Sequence, residues 1–276
     1  MREAVIVSTA RTPIGKAYRG AFNNTPSQTL GGHAIEHAVS RAGIDPGEVD
    51  DVIMGAALQQ GVQGSNIGRQ AALRGGLPVT VSGMSLDRQC ASGMMAIATA
   101  AKQVVHDNMP VCIGGGVESI SMVQTPELRV GADPSLVAMH PHVYMSMLET
   151  AEIVADRYNI SREAMDAYGL QSQMRTAAAQ QAGKFTDEIA PLPSTMIMVN
   201  RETKEQSEHQ VTLEGDEGNR PSTTLEGLQG LRPVLGEDTT ITAGNASQLS
   251  DGASAAVVME AKDAEKRGIN PLGAYR

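Results

Sequence analysis

Tryptophan is absent from this chain, and two phenylalanines and five tyrosines make aromatics only 3% of its 276 residues. A core built from it must be filled by aliphatic side chains and by methionine, of which there are 15. Cysteine is scarce too. Two residues, Cys90 and Cys112, make no disulfide framework, which excludes the small secreted scaffolds and fits a reducing compartment, with the cytoplasm as the expected location. Basic residues are outnumbered, 22 Lys and Arg against 31 Asp and Glu, for a formal charge of −9. With no polybasic run and no basic–aromatic interleaving, neither nucleic acid nor a membrane surface is an expected partner. An anionic ligand would have to be met by a few placed groups. The longest apolar stretch, near residues 94–101, is far short of the roughly 20 residues that span a bilayer. The opening MREAVIVSTARTPIG is broken by Thr9 and Arg11 and reads as a first strand, not a signal peptide.

Glycine is plentiful, at 29 residues, and marks places where backbone turns tightly or approaches something closely. Residues 3–10 read as a buried strand, and a helix follows over 27–42, stopped by Gly43. Residues 49–58, 81–88 and 110–117 read as further strands, with helices at 66–74 and 91–106. This alternation predicts an α/β fold, a sheet covered by helices. After residue 119 the pattern changes. Residues 120–148 read as loop, 149–158 and 161–182 as helices with Ser161 as N-cap, and 184–240 as a polar excursion. A strand at 251–259 and a helix at 261–267 resume the pattern. The expected organisation is therefore a core of 1–119 and 245–276, interrupted by an inserted loop domain of 120–244.

Cys90 stands at a strand–helix seam in SLDRQCASGMM. Its sulfur is expected to face unpaired helix N–H groups and the positive end of the helix dipole, which favours the thiolate. Ala91, Ser92 and Gly93 leave room for a substrate to approach. These features predict a nucleophile. Cys112, inside the apolar run PVCIG, reads as a small buried hydrophobe. Two other readings fail on spacing: a nucleophile elbow needs glycines where Arg88 and Ser92 stand, and a dinucleotide fingerprint starting at Gly114 ends on Ser119.

Several stretches, taken together and in order, resemble the thiolases. DRQCASGM resembles the family's nucleophile segment, GGGVESIS (114–121) the strand–turn motif that follows it, and residues 149–173 its helical pair. TAGNASQLSDGASA (242–255) and VSTARTPIG match as well, so the resemblance runs from residue 5 to about 273. It implies a thiolase-like N-terminal domain with a mixed sheet, and an acyl transfer between acyl-CoA and acetyl-CoA. Cys90 would carry the acyl group as a thioester, its N–H helping to hold the oxyanion. Coenzyme A enters as a substrate on the loop domain, and neither a cofactor nor a metal is implied. By family position, Arg220 lies near the adenine nucleotide, Ala243 and Ser247 line the pantetheine path, and Met147 sits beside the acyl pocket. The intact enzyme is expected to be a homodimer or homotetramer, with residues 81–88 at the interface.

Some positions depart from that pattern. Ser146 stands where short-chain biosynthetic thiolases carry His, Leu148 and Glu149 where small or hydroxyl residues are usual, and Gly227 where a nucleotide-contacting Ser is found. These changes point to a broader 3-ketoacyl-CoA thiolase. The family's second α/β half, with its Gly-His-Pro histidine and C-x-G-G-G cysteine, has no counterpart here. CIGGG (112–116) and His140-Pro141 lie in the wrong context. The chain is therefore expected to lack the base for Cys90 and to be inactive in isolation. The alternative is a non-catalytic CoA-binding and dimerisation module.

Overall fold

A computed structural model describes residues 2–276, which form two compact units. Of the described residues, the first comprises 2–128, 187–218 and 249–276; the second comprises 129–186 and 219–248. Along the chain, β1 (Ala4–Arg11) and the two-residue β2 (Gly15–Lys16) lead to α1 (Ser27–Ala42). Then come β3 (Asp51–Gly55), α2 (Ile67–Arg74), β4 (Ser82–Leu86), α3 (Ser92–His106) and β5 (Val111–Ser119). Short helices α4 (Ile120–Val123) and α5 (Pro134–Met139) precede α6 (Met147–Arg157) and α7 (Arg162–Gln181). The hairpin β6 (Leu192–Val199) and β7 (Gln206–Leu213), then α8 (Leu225–Gln229), β8 (Ser250–Glu260), α9 (Ala261–Lys266) and β9 (Gly273–Ala274) complete the chain. No helix among the described residues is long and apolar enough to cross a membrane.

The first unit is built on a mixed sheet in the order β4-β3-β5-β8-β1-β9. β3 runs parallel to β4 and to β5, whereas β8 is antiparallel to both β5 and β1. The strand period of two decides which helix each side chain meets. Val52, Met54, Val111 and Ile113 join Leu30, Ile35 and Ala38 of α1 and Ile67 and Ala71 of α2 in the larger cluster. The intervening Ile53 and Cys112 join Ala96, Ala100, Ala101 and Val104 of α3 in the smaller one. The expected α/β architecture is what forms. α1 ends as predicted, at Gly43 with φ 68°, its N–H donating to the Ser40 carbonyl.

Glycine sets how closely the helices approach the sheet. A Cβ built on Gly114 would lie 2.5 Å from Ile97 Cα, and one on Gly55 would lie 2.3 Å from the Ser92 carbonyl carbon. Both β3 and β5 therefore receive α3 backbone-on-backbone. Within the GGG of β5, Gly114 and Gly116 face α3, while a Cβ on Gly115 would meet Ser254 of β8 and Met54.

In the second unit α7 begins at Ser161, whose hydroxyl accepts from Ala164 N as expected. This unit is held by polar side chains. Asp166, fully buried, accepts from Arg162 at 2.7 Å and from Asn245 Nδ2 at 3.0 Å. Asn245 Oδ1 in turn accepts from Thr242 N, and the Glu152 carboxylate accepts from Thr240 and from Ile241 N.

The units divide the chain elsewhere than at 120 and 244. Residues 187–218, expected within the insertion, belong to the first unit. The reason is the hairpin. Leu192 is buried in the main core with Val211 and Leu213 packed against it, Ala190 N donates to the Arg11 carbonyl, and Arg11 pairs with Asp216. Within 120–148, read as loop, α4 and α5 form.

Candidate active site

The site is assembled where the parallel strands β3, β4 and β5 end, the edge at which open α/β sheets usually bind ligands. β4 stops at Leu86, α3 starts at Ser92, and the five residues between them carry Cys90. Cys90 is exposed and Cys112 is buried. Gln89, immediately before Cys90, has φ +49°, a left-handed conformation that costs a non-glycine residue roughly 1 kcal/mol or more. Local hydrogen bonds hold it there. Asp87 Oδ1 accepts from Gln89 N at 2.6 Å, and the Ser92 hydroxyl accepts from Arg88 N while donating to the Gln89 carbonyl. Ser92 is therefore more than a small neighbour of Cys90: its hydroxyl clasps the turn. The Cys90 N–H donates to no acceptor among the described residues, so it remains available beside the sulfur.

A cavity of about 320 Å³ opens at this turn. Its floor is largely backbone: Gly55 of β3, Gly93 of α3, Gly116 of β5 and Gly252 of β8 line it with Cys90. Four glycines from four elements leave the sulfur uncrowded, as flat substrate approach requires. The polar lining includes Ser254, Arg11 and Glu118. Arg11 is already engaged, at 2.8 Å from Glu188 and 2.7 Å from Asp216. None of the described residues lining the cavity is a histidine.

Cys112 sits in β5 beneath α3. Burial, reinforced by the nearby charges of Asp50 and Asp51, pushes its thiol up to about 12. It is a packing residue, as the sequence predicts, and CIGGG supplies no second reactive thiol.

The second unit contains a separate cavity of about 240 Å³. Arg220 and Ala243 both line it, together with Gln173, the hydroxyl residues Ser222, Thr223 and Thr224, and Gly227. The Arg220 backbone is pinned, its N–H donating to Gln173 Oε1 and its carbonyl accepting from Thr223. Two expected residues do not line this cavity. Ser247 is exposed and stands between the lining residues Ala246 and Gln248, and Met147 opens α6 with 70% of its surface exposed.

The departures before α6 have a local cause. The Ser146 hydroxyl accepts from Glu149 N, and the Glu149 carboxylate accepts from Ser146 N, a complete capping box. These two residues start a helix, whatever else they do. The helix therefore starts at Met147, two residues before the expected 149, because the S-x-x-E pair caps it there.

Glu118 and Gln63 are the residues the sequence reading missed. Glu118 lies within the recognised GGGVESIS segment, but nothing in that segment shows which backbone its carboxylate meets.

Comparison with known proteins agrees with this geometry. Residues 4–262 match the family described as thiolase, N-terminal domain. The chain is 40% identical over 276 residues to a 3-ketoacyl-CoA thiolase of Bacillus subtilis (strain 168), covering all of this chain and 70% of that protein. It is 38% identical over 279 residues to an acetyl-CoA acetyltransferase of Rhizobium meliloti (strain 1021), covering 97% of this chain and 68% of the relative. Against the peroxisomal 3-ketoacyl-CoA thiolase 2 of Arabidopsis thaliana the identity is 36%, over 99% of this chain and 59% of the plant protein. With an exposed cysteine on a turn at the carboxyl edge of the sheet and family similarity along nearly its whole length, the chain belongs to the thiolase family.

Proposed function

We propose that this chain performs the acyl-accepting half of a thiolase reaction, with Cys90 as the nucleophile. The Cys90 sulfur adds to the carbonyl carbon of an acyl-CoA or 3-ketoacyl-CoA. The bond from that carbon to its leaving group then breaks, and the leaving group takes up the proton given up by the thiol. An acyl–Cys90 thioester remains. In the degradative direction the thiol of CoA attacks it; in the synthetic direction the carbanion of acetyl-CoA does. The unused N–H of Cys90 is a donor for the oxyanion of the tetrahedral intermediate, worth about 3 kcal/mol where such a donor is preorganised.

Coenzyme A is read as a substrate, held by the second unit. Supporting this is the cavity lined by Arg220, Ala243 and three hydroxyl residues, with the Arg220 guanidinium making no hydrogen bond among the described residues. A cation beside hydroxyl groups suits a nucleotide phosphate in a chain of net charge −9. Ser247 and Met147 remain candidates for the pantetheine and acyl ends. β4 is an edge strand with partly exposed residues, which supports pairing with a second copy as a homodimer.

The single observation that carries the reading is an exposed cysteine with a free backbone N–H in a glycine-floored cavity. The test is intact-protein mass spectrometry after incubation with acetyl-CoA. An acetyl adduct that disappears in Cys90→Ala is the expected result, and no adduct on the parent chain sinks the proposal. The missing histidine in the cavity favours the second reading, a CoA-binding module without turnover. Thiolysis by this chain alone is accordingly expected to be negligible, and robust turnover of acetoacetyl-CoA without any added partner would defeat that expectation.

A further inference from the structure

The lining of the Cys90 cavity includes a carboxylate with three hydrogen-bond donors aimed at it. Glu118 Oε2 accepts from Ala57 N at 3.0 Å, while Oε1 accepts from Leu58 N at 3.2 Å and from Gln63 Nε2 at 2.5 Å. Gln63 is fully buried, and its amide has all four hydrogen-bonding positions filled. Its nitrogen donates to Glu118 and to the Leu58 carbonyl, and its oxygen accepts from the Ser27 hydroxyl and from Ser119 N. The amide can therefore adopt one orientation only, and it ties α1, the 56–63 loop and the end of β5 to one point.

That point controls the reactive turn through two contacts. Ala56 N donates to the Leu86 carbonyl, the last residue of β4 before the turn. Gly55, one residue earlier, lies against Ser92 so closely that any side chain there would overlap it. Ser92 is the residue whose hydroxyl clasps Arg88 and Gln89 beside Cys90. We propose that Glu118, seated by Gln63, is a positioning residue for the Cys90 turn: its carboxylate fixes the 55–58 backbone, and that backbone sets where Ser92 holds the nucleophile. The carboxylate donates no proton and touches no reacting atom in this role. Three donors converge on this one side chain at the cavity wall, so its carboxylate both satisfies them and fixes where their backbone lies.

The proposal rests on Cys90 being the acyl acceptor, and its test separates the two. Glu118→Gln leaves one acceptor oxygen where three donors converge, so the 55–58 backbone loses its anchor. Single-turnover acylation by acetyl-CoA is expected to slow about tenfold or more, since sub-ångström misplacement of a nucleophile is costly. Affinity for CoA, measured by calorimetry in a Cys90→Ser background, is expected to change by less than about twofold. Amide hydrogen exchange is expected to quicken in 56–58 and 88–92 and to stay unchanged in α1. Gln63→Leu should slow acylation as well, and the double variant should lose less than the sum of the two. Should Glu118→Gln fail to fold, Glu118→Asp, which withdraws the same carboxylate by one methylene, carries the same measurements. The proposal is overturned if acylation stays within about twofold of the parent, or if rate, CoA affinity and melting temperature all fall together. If the parent itself is not acylated, the reading of Cys90 fails, and unchanged exchange in 88–92 would then overturn the positioning role on its own.

Discussion

Two short segments of this chain look alike and behave differently. Cys90 is followed by Ala-Ser-Gly, and Cys112 by Ile-Gly-Gly-Gly. Both are cysteines next to small residues, and both touch α3, one at its start and one beneath its middle. The first is exposed on a turn whose N–H groups are only partly used. The second is sealed in a strand with backbone partners on both sides, Asp51 of β3 and Val258 of β8. Small residues beyond Cys112 let a helix lie on a sheet; small residues around Cys90 leave its sulfur open to the cavity. Exposure thus follows whether the chain turns at the cysteine, since a turn leaves donors and space that a paired strand has already used.

The sharpest contrast should come from removing each thiol. Cys90→Ala is expected to abolish acylation by acetyl-CoA, while Cys112→Ala leaves the acylation rate within about threefold; equal losses in mass-spectrometric rates would erase the distinction. Next in size is the glycine pair. Gly114→Ala would put a methyl 2.5 Å from Ile97 Cα and is expected to cost about 3 kcal/mol or more in urea unfolding. Gly93→Ala meets Gly116 Cα at an ordinary 3.6 Å, and helix propensity makes it neutral or stabilising by up to about 1 kcal/mol.

The pH dependence separates the cysteines as well. Burial raises the Cys112 thiol from 9.0 to about 12, so the folded state keeps a proton that the unfolded state loses. The corresponding stability is fully present below pH 9 and falls as pH rises towards about 12. Urea titrations at alkaline pH should show a downward slope that is shallower in Cys112→Ala. In the same range iodoacetamide should label Cys90 and leave native Cys112 untouched. A parallel slope in both proteins would show that Cys112 ionises as freely as a surface thiol. The smallest effect concerns strain: Gln89→Gly should raise stability by about 1 kcal/mol or less, because glycine adopts φ +49° without penalty. No gain would mean that the hydrogen bonds to Asp87 and Ser92 already offset the strain.

Much of this was legible residue by residue. Periodic apolar patterns placed β1, α1, α3, β5 and β8 within a few residues, because their buried faces are long and aliphatic. The hairpin β6–β7 was not legible. β7 reads QSEHQVTL, with its first five residues exposed, so no apolar alternation marks it; backbone pairing and the burial of Leu192 hold it instead. That hairpin is also what moves the boundary between the units.

Local chemistry is what singles out Cys90 as the proposed nucleophile. A nucleophile needs a turn, small neighbours and a helix start, and all three lie within a few consecutive positions. The surroundings of that nucleophile are a matter of long-range contact. Gly55 and Ser92 are 37 residues apart, Glu118 and Ala57 are 61 apart, and Arg220 and Ala243 meet in one cavity only after α8 brings them back. A carboxylate and two backbone N–H groups attract one another at about 3 Å and ignore one another beyond it, and that proximity is created by packing a sheet against helices.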